Sequence, residues 1–201
     1  MNFEFLNSVS SFLTSALAIF FAISIHEFGH AFVAHLNGDD TAKNAGRMTI
    51  NPLSHIDIFG MIMMFVAKFG WAKPVPVNPN NYKNEKVGNI TVSLAGIFMN
   101  LASAIIFAMI YKYIGIYSLK MVCKSLIVYN IAFASFNILP IPPLDGWSFI
   151  STFLPDSVNY KLYEYTRYSF IILILLVMTN VLSFVLSPIY SFFSGIVSMF
   201  L

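Results

Sequence analysis

Long apolar stretches alternate with short polar ones along the chain, and they predict a bundle of membrane-spanning helices. The first stretch covers residues 9–36 and stops before Gly38, which suits a C-terminal helix cap. At 1.5 Å per residue it would measure roughly 40 Å, longer than the ~30 Å hydrocarbon core of a bilayer. Three further stretches are long enough to cross, at residues 88–111, 119–139 and 168–186.

Two segments between the first and second spans are predicted not to cross the membrane. Residues 56–69 are apolar but contain Asp57 and Lys68, and about 14 residues are too few for a span, so we expect a re-entrant or interfacial segment. Residues 70–79 hold prolines spaced too closely for a helix. They form either an extended strand, with the N–H groups of Val75 and Val77 on one edge, or a rigid proline-rich loop.

The C-terminal part of the chain predicts one more span and an unassigned end. Pro188 is expected to end or kink the fourth span. Residues 189–201 are too short for an independent crossing, and we assign them no position. We therefore predict an all-α polytopic membrane protein. A three-span core with a re-entrant or extended loop would occupy residues 1–154, and a C-terminal span would lie in residues 155–201.

The composition supports a membrane protein and excludes a soluble one. Of 201 residues, 58% are hydrophobic and 10% are charged, whereas soluble domains carry about 25% charged residues. The net charge of +2 indicates no particular partner, so we expect a lipid bilayer around the chain and no nucleic acid. The single Cys123 excludes an internal disulfide framework. The N-terminus lacks a basic region and a small-residue cleavage site, and we expect it to be retained.

The candidate chemistry lies in the C-terminal third of the first span, in the sequence IHEFGH at residues 25–30. Positions i and i+4 differ by about 40° around an α-helix, so His26 and His30 share a face and Glu27 lies beside it. This H-E-x-x-H spacing is typical of two zinc ligands and a general base. A lone apolar-face histidine is more often a core residue, but a glutamate at membrane depth is costly without a function. His35 falls on the opposite face and is expected to be interfacial.

A catalytic zinc usually has three protein ligands, and two carboxylates are candidates for the third. Asp57 and Asp145 are the acidic residues that adjoin apolar segments. Asp145 follows a helix end broken by prolines and precedes Gly146, an arrangement that can present a side chain into a cavity. The same Pro-Leu-Asp-Gly sequence is also that of an ordinary turn.

The number of crossings decides whether Asp145 can reach the histidines. If residues 56–69 do not cross, the first three spans run down, up and down, and Asp145 lies on the side of His26 and His30. If they cross, it lies on the opposite side. In the non-crossing arrangement, Lys112, Lys120 and Lys124 would lie outside the cell, against the positive-inside rule. A larger group of basic residues would lie on the same side as the candidate site, and the rule makes that side cytoplasmic. That group is Lys43, Arg47, Lys68, Lys73, Lys83 and Lys86.

Three motifs together resemble the site-2 proteases, polytopic zinc metalloproteases that cut other membrane proteins within or near the bilayer. The motifs are HEFGH in the first span, AGIFMN at residues 95–100 and NILPIPPLDG at residues 137–146. Residues 38–47, 51–57 and 70–79 are also similar to the compact prokaryotic members. The resemblance implies one zinc ion per chain, held by His26, His30 and Asp145, with Glu27 as the catalytic base and a transmembrane protein as substrate.

The resemblance also implies supporting catalytic roles for two asparagines. Asn100 would help to position the substrate or the developing oxyanion, and Asn137 would have a similar role. The chain departs from the family at Ile97, where proline is usual, and this affects the local helix geometry. Two other classes remain open: a divalent-metal transporter, which would leave Glu27 without a task, and an inactive relative that binds membrane proteins. Inactive relatives typically lack a ligand or the glutamate, and all four groups are present here.

Overall fold

The computed structural model describes residues 3–67, 71–179 and 181–201. Most of these residues are helical, and there is no strand among them. The eight α-helices in this part of the chain are α1 (Phe3–Leu36), α2 (Thr41–Asn44), α3 (Ile58–Ala67), α4 (Glu85–Tyr113), α5 (Tyr117–Asn137), α6 (Asp145–Ser151), α7 (Asp156–Met178) and α8 (Val181–Ser198). Four segments are long and apolar enough to cross a membrane: Ser8–Leu36, Glu85–Tyr113, Tyr117–Asn137 and Val181–Ser198. The prediction of an all-α polytopic membrane protein is confirmed.

Helices α1, α4 and α5 pack against one another around the site, and α8 packs against α4 and α5. Small side chains such as Ala104 and Ala134 are completely buried, which lets the helix backbones approach closely. Ile97, at the position where the family usually has proline, is buried in this core. The other members of the core cluster are Ala108, Ile127, Ile131, Phe193 and Val197.

The C-terminal helices differ from the prediction. A single span was expected at residues 168–186, but α7 ends at Met178 and α8 begins at Val181. Helix α8 also continues through Pro188 to Ser198, so most of residues 189–201 belong to it. Proline costs a helix one hydrogen bond and crowds the preceding turn. Burial of Phe193 and Val197 against the core compensates for that loss, because both lie on the part of α8 that follows the proline.

The segment between α1 and α4 contains one short helix and an extended stretch. Helix α3 has 10 residues, which is about 15 Å or half a hydrocarbon core. This length agrees with a segment that does not cross. Residues 68–70, at the end of the apolar piece and the start of the proline-rich one, lie outside the described residues. Residues 71–79, the proline segment, make one isolated antiparallel bridge, between Ile56 and Ala72.

Side chains from three directions hold the proline segment. Arg47 Nη2 donates to the carbonyl of Lys73 at 2.7 Å, and Asp39 Oδ2 accepts the N–H of Asn78 at 2.7 Å. Glu27 accepts a third hydrogen bond from the segment, described below. An extended loop fixed by side chains therefore describes the segment better than a strand in a ladder.

Asp39 is the anchor at the far end of this segment. It is completely buried and accepts hydrogen bonds from Asn78, Thr41 and Asn81. Burial tends to raise the pKa of Asp39, but these donors outweigh burial and hold the pKa below its ordinary value. Burial, together with the nearby Asp39 charge, raises the pKa of Tyr82 to about 12.

Candidate active site

Three side chains from two helices meet at a single point inside the bundle. His26 and His30 extend from one face of α1, and Asp145 is the first residue of α6. The two Nε2 atoms lie 3.0 Å apart. Asp145 Oδ2 lies 3.1 Å from His26 Nε2 and 3.2 Å from His30 Nε2. Among the described histidine, cysteine and acidic residues, this is the group whose geometry could hold a metal ion.

The hydrogen bonds of the two imidazoles orient the Nε2 lone pair of each ring toward the place where the three side chains meet. His26 Nδ1 lies 2.8 Å from Asn100 Oδ1, and His30 Nδ1 lies 2.7 Å from the carbonyl oxygen of Val92. Both partners are oxygens that accept, so each ring carries its proton on Nδ1 and its lone pair on Nε2. A direct hydrogen bond between the two Nε2 atoms would require one doubly protonated ring.

This donor set fits a zinc ion. Two imidazole lone pairs and a carboxylate oxygen face one another, and Asp145 Oδ2 is buried without a hydrogen-bond partner despite its short distances to both rings. Such an arrangement of electron-rich atoms favours a cation at its centre. Zinc bonds of about 2.0–2.2 Å in a tetrahedron separate the ligand atoms by roughly 3.3 Å, close to the spacings found here.

Helix α4 fixes the ring of His26 from the side. A Cβ atom at Gly96 would lie 2.4 Å from Cε1 and 2.5 Å from Nδ1 of that ring, so only glycine leaves room for it. The ring of Phe133 on α5 packs edge-on against the same imidazole, with 5.0 Å between centroids. The glycine of the AGIFMN motif therefore places the histidine rather than the substrate.

Glu27 lies beside the three candidate ligands and is held by the proline segment. Its side chain is buried, and Oε2 accepts the N–H of Val75 at 2.8 Å. The prediction that the N–H groups of Val75 and Val77 lie on one free edge therefore needs correction at Val75, whose N–H is used within the chain. The bond fixes one carboxylate oxygen and leaves the other for a proton.

The two predicted asparagines occupy different environments. Asn100 is completely buried; its Oδ1 faces His26, and its Nδ2 donates to the carbonyl of Ala22 and to Asn130 Oδ1, both at 2.9 Å. With both N–H groups donated, Asn100 orients a histidine and has no donor left for a substrate. Asn137 donates to the carbonyl of Phe133 at 3.0 Å and lines the cavities described next.

Two cavities meet at Glu27. The larger, of about 890 Å³, opens toward the loop ends of the helices. Its wall includes the polar residues Asn84, Glu85, Lys86, Asn89, Ser148 and Asn159. The smaller, of about 560 Å³, lies between α1, α5 and the segment that joins α1 to α4. Its wall includes the apolar residues Ile19, Phe20, Ile23, Phe133, Phe136 and Leu173. His26, Glu27, Pro74, Asn137 and Pro143 border both cavities.

The remaining candidate residues do not join the three candidate ligands, although His55 and Asp57 border the smaller cavity. His35 pairs through Nδ1 with Asp40 at the surface end of α1. Asp57, the alternative third ligand, accepts the N–H of Gly60 at 2.8 Å and so stabilises the start of α3. His55 is completely buried and lies 2.8 Å from the carbonyl oxygen of Thr49.

The fold and the site define a class: a polytopic helical membrane protein with a candidate His-His-Asp metal site beside a glutamate. The chain is 37% identical over 191 residues to YwhC of Bacillus subtilis, provisionally named a zinc metalloprotease, across 90% of this chain and 86% of that protein. It is 27% identical to Rip2 of Mycolicibacterium smegmatis, across 89% of this chain and 71% of that protein. It is 28% identical to Rip2 of Mycobacterium tuberculosis, across 81% of this chain and 65% of that protein. Both Rip2 proteins carry the same provisional description.

No family model and no solved structure matches the chain. The identity to YwhC over most of both chains shows that the chain belongs to the site-2 protease family of zinc metalloproteases.

Proposed function

We propose that the protein is an intramembrane zinc endopeptidase that hydrolyses peptide bonds of membrane-spanning proteins. It would act in the cell membrane, with the site toward the cytoplasmic side. One observation carries the proposal: His26, His30 and Asp145 converge beside a buried Glu27 in a helix that is apolar enough to cross a membrane. A glutamate in a membrane-spanning helix is costly unless it has a chemical task.

The chain's own residues account for the parts that such a reaction needs. His26, His30 and Asp145 would hold zinc, with Asn100 and Val92 fixing the two rings. When bound, the ion supplies a Lewis acid that polarises a carbonyl and lowers the pKa of water to about 7. Glu27 takes a proton from the attacking water and returns it to the departing amine.

The two cavities support a division between the reactants. Hydrolysis inside a bilayer needs both water and an apolar peptide at the same carboxylate. The larger cavity, with its amide, hydroxyl and charged walls, suits entry of water from the loop side. The smaller cavity, walled by aliphatic and aromatic side chains, suits an apolar substrate segment. Glu27 borders both and can act where the two meet.

A substrate strand could also pair with the proline segment, as extended peptides do at exposed edges. The N–H of Val75 is bonded to Glu27, so that pairing would use Val77 or the backbone carbonyls. Val77 is exposed and borders the larger cavity.

Replacing Glu27 by Gln tests the proposal. The amide is nearly isosteric with the carboxylate, so zinc should stay bound while cleavage of a single-span substrate falls by about 10² to 10⁴. Glu85→Gln is a matched control, because Glu85 is exposed and borders the same larger cavity. Zinc content and cleavage are measured in parallel on the purified protein. A Glu27→Gln protein that cleaves at the normal rate would contradict the proposal. If metal uptake into proteoliposomes persisted as the only activity, the transporter alternative would be favoured.

A further inference from the structure

Asn130 on α5 is a completely buried amide that belongs to none of the three sequence motifs, and its Oδ1 accepts a hydrogen bond from Asn100. We propose that Asn130 is a positioning residue for the metal site, acting through Asn100 on the ring of His26. The inference rests on the proposed zinc site. Helix α5 already contacts His26 through Phe133, and Asn130 adds a hydrogen bond from that helix to Asn100 on α4.

Two backbone carbonyls set the direction of every hydrogen bond in this chain of contacts. A carbonyl oxygen can only accept. Asn130 Nδ2 donates to the carbonyl of Leu126 at 2.7 Å, so Asn130 Oδ1 is turned toward Asn100. Asn100 Nδ2 donates to that oxygen and to the carbonyl of Ala22, both at 2.9 Å. Both N–H groups of Asn100 are therefore committed.

This orientation of Asn100 determines which nitrogen of His26 carries the proton. With its N–H groups committed, Asn100 presents Oδ1 to His26 Nδ1 at 2.8 Å. An oxygen at this position requires the proton on Nδ1 and leaves the lone pair on Nε2, where the metal would bind. If the amide of Asn100 flipped, its oxygen would face the carbonyl of Ala22, and its NH₂ would face a ring nitrogen that must also donate. Asn130 provides the second acceptor that opposes this flip.

Zinc affinity of the purified full-length chain tests the inference, measured by competition with a chromogenic chelator. Asn130→Leu removes the acceptor and keeps the branching of the side chain, and affinity should fall by up to about 10–100-fold, the usual cost of losing the outer partner of a ligating histidine, here Asn100. Asn130→Asp should restore most of the affinity, because a buried neutral carboxyl still offers one donor and one acceptor. Ser135→Ala is the control. Ser135 is buried on the same helix, but its hydroxyl donates to Ile131 within that helix at 2.8 Å.

A double substitution separates positioning from packing. In an Asn100→Leu background, Asn130→Leu should weaken zinc binding no further, because the residue through which it acts is gone. A loss of similar size in both backgrounds would overturn the inference, and so would unchanged affinity in the folded Asn130→Leu protein. Should that variant fail to fold, Asn130→Ala is judged by the same two comparisons. If the unsubstituted chain binds no zinc, the proposed function itself fails. If it binds zinc and the substitutions at Asn130 have no effect, only this inference fails.

Discussion

The candidate zinc ligands and the candidate base are held in place in different ways, and we call these two parts the ligand side and the base side of the site. The candidate ligands His26 and His30 are fixed by hydrogen bonds to α4, and Asn130 on α5 stands behind one of them. The candidate base Glu27 is held by a backbone N–H of the proline segment, which lies outside any helix or ladder. Packed helices carrying buried amides are rigid, whereas the segment depends on a few side-chain contacts. Metal binding and proton transfer should therefore be separable by mutation.

The largest effect is expected on the ligand side. Asp145→Ala removes the only anionic group of the three, so zinc affinity should fall by more than the roughly 10–100-fold that loss of an outer partner costs. Cleavage should disappear with it. Asp57→Ala is the control, since Asp57 is bonded at the start of α3 and should leave the zinc content unchanged. Metal analysis that finds full occupancy in Asp145→Ala would remove Asp145 from the site.

A smaller effect on the same side should follow from crowding one ring. Gly96→Ala places a methyl group 2.4 Å from His26 Cε1, so the imidazole must move away from its position beside Asn100. We expect zinc affinity to fall about 10–100-fold, because the orientation of a ligand is lost while the ligand is kept. Gly195→Ala on α8 is the matched control, since a Cβ there meets no atom within 4 Å. Equal zinc affinity in the two variants would contradict the close fit at Gly96.

The sequence pattern defines more of the geometry around the candidate ligands than of the geometry around Glu27, for a physical reason. H-E-x-x-H has a fixed helical period, and the three long apolar runs that became α1, α4 and α5 are recognisable from length alone. Asn130 belongs to no local pattern, because its partner Asn100 lies on another helix. The contacts of the proline segment with Arg47, Asp39 and Glu27 are also non-local. The division between α7 and α8 falls within a nearly continuous apolar run, where hydropathy marks no boundary.

A change on the base side should affect turnover and spare the metal. Val75→Pro removes the N–H that donates to Glu27 and keeps the segment extended between its neighbouring prolines. Glu27 should then adopt other positions, and turnover should fall by about tenfold, a modest part of the 10² to 10⁴ that general acid–base catalysis supplies. Zinc affinity should stay unchanged. Val75→Ala, which retains the N–H, is the control. Equal losses of zinc and turnover in Val75→Pro would show that the two sides are not independent.

The smallest effect on chemistry is expected from the anchor of the proline segment. Asp39→Asn turns an NH₂ group toward the N–H of Asn78 and breaks that hydrogen bond, which should cost about 1–3 kcal/mol of unfolding free energy.

The pKa of Asp39 is depressed from 3.8, so its contribution to stability is present above that value and is lost as the pH falls through the folded-state pKa. Asp39→Asn should therefore melt at a lower temperature than the unsubstituted chain at about pH 7, and this difference in melting temperature should be smaller at about pH 3. Asp40→Asn is the control, because the Asp40 carboxylate forms exposed ion pairs with His35 and Lys43, which contribute little. Zinc affinity should be unchanged in both variants; a loss in Asp39→Asn would mean that the anchor supports the ligands as well as the segment that holds Glu27.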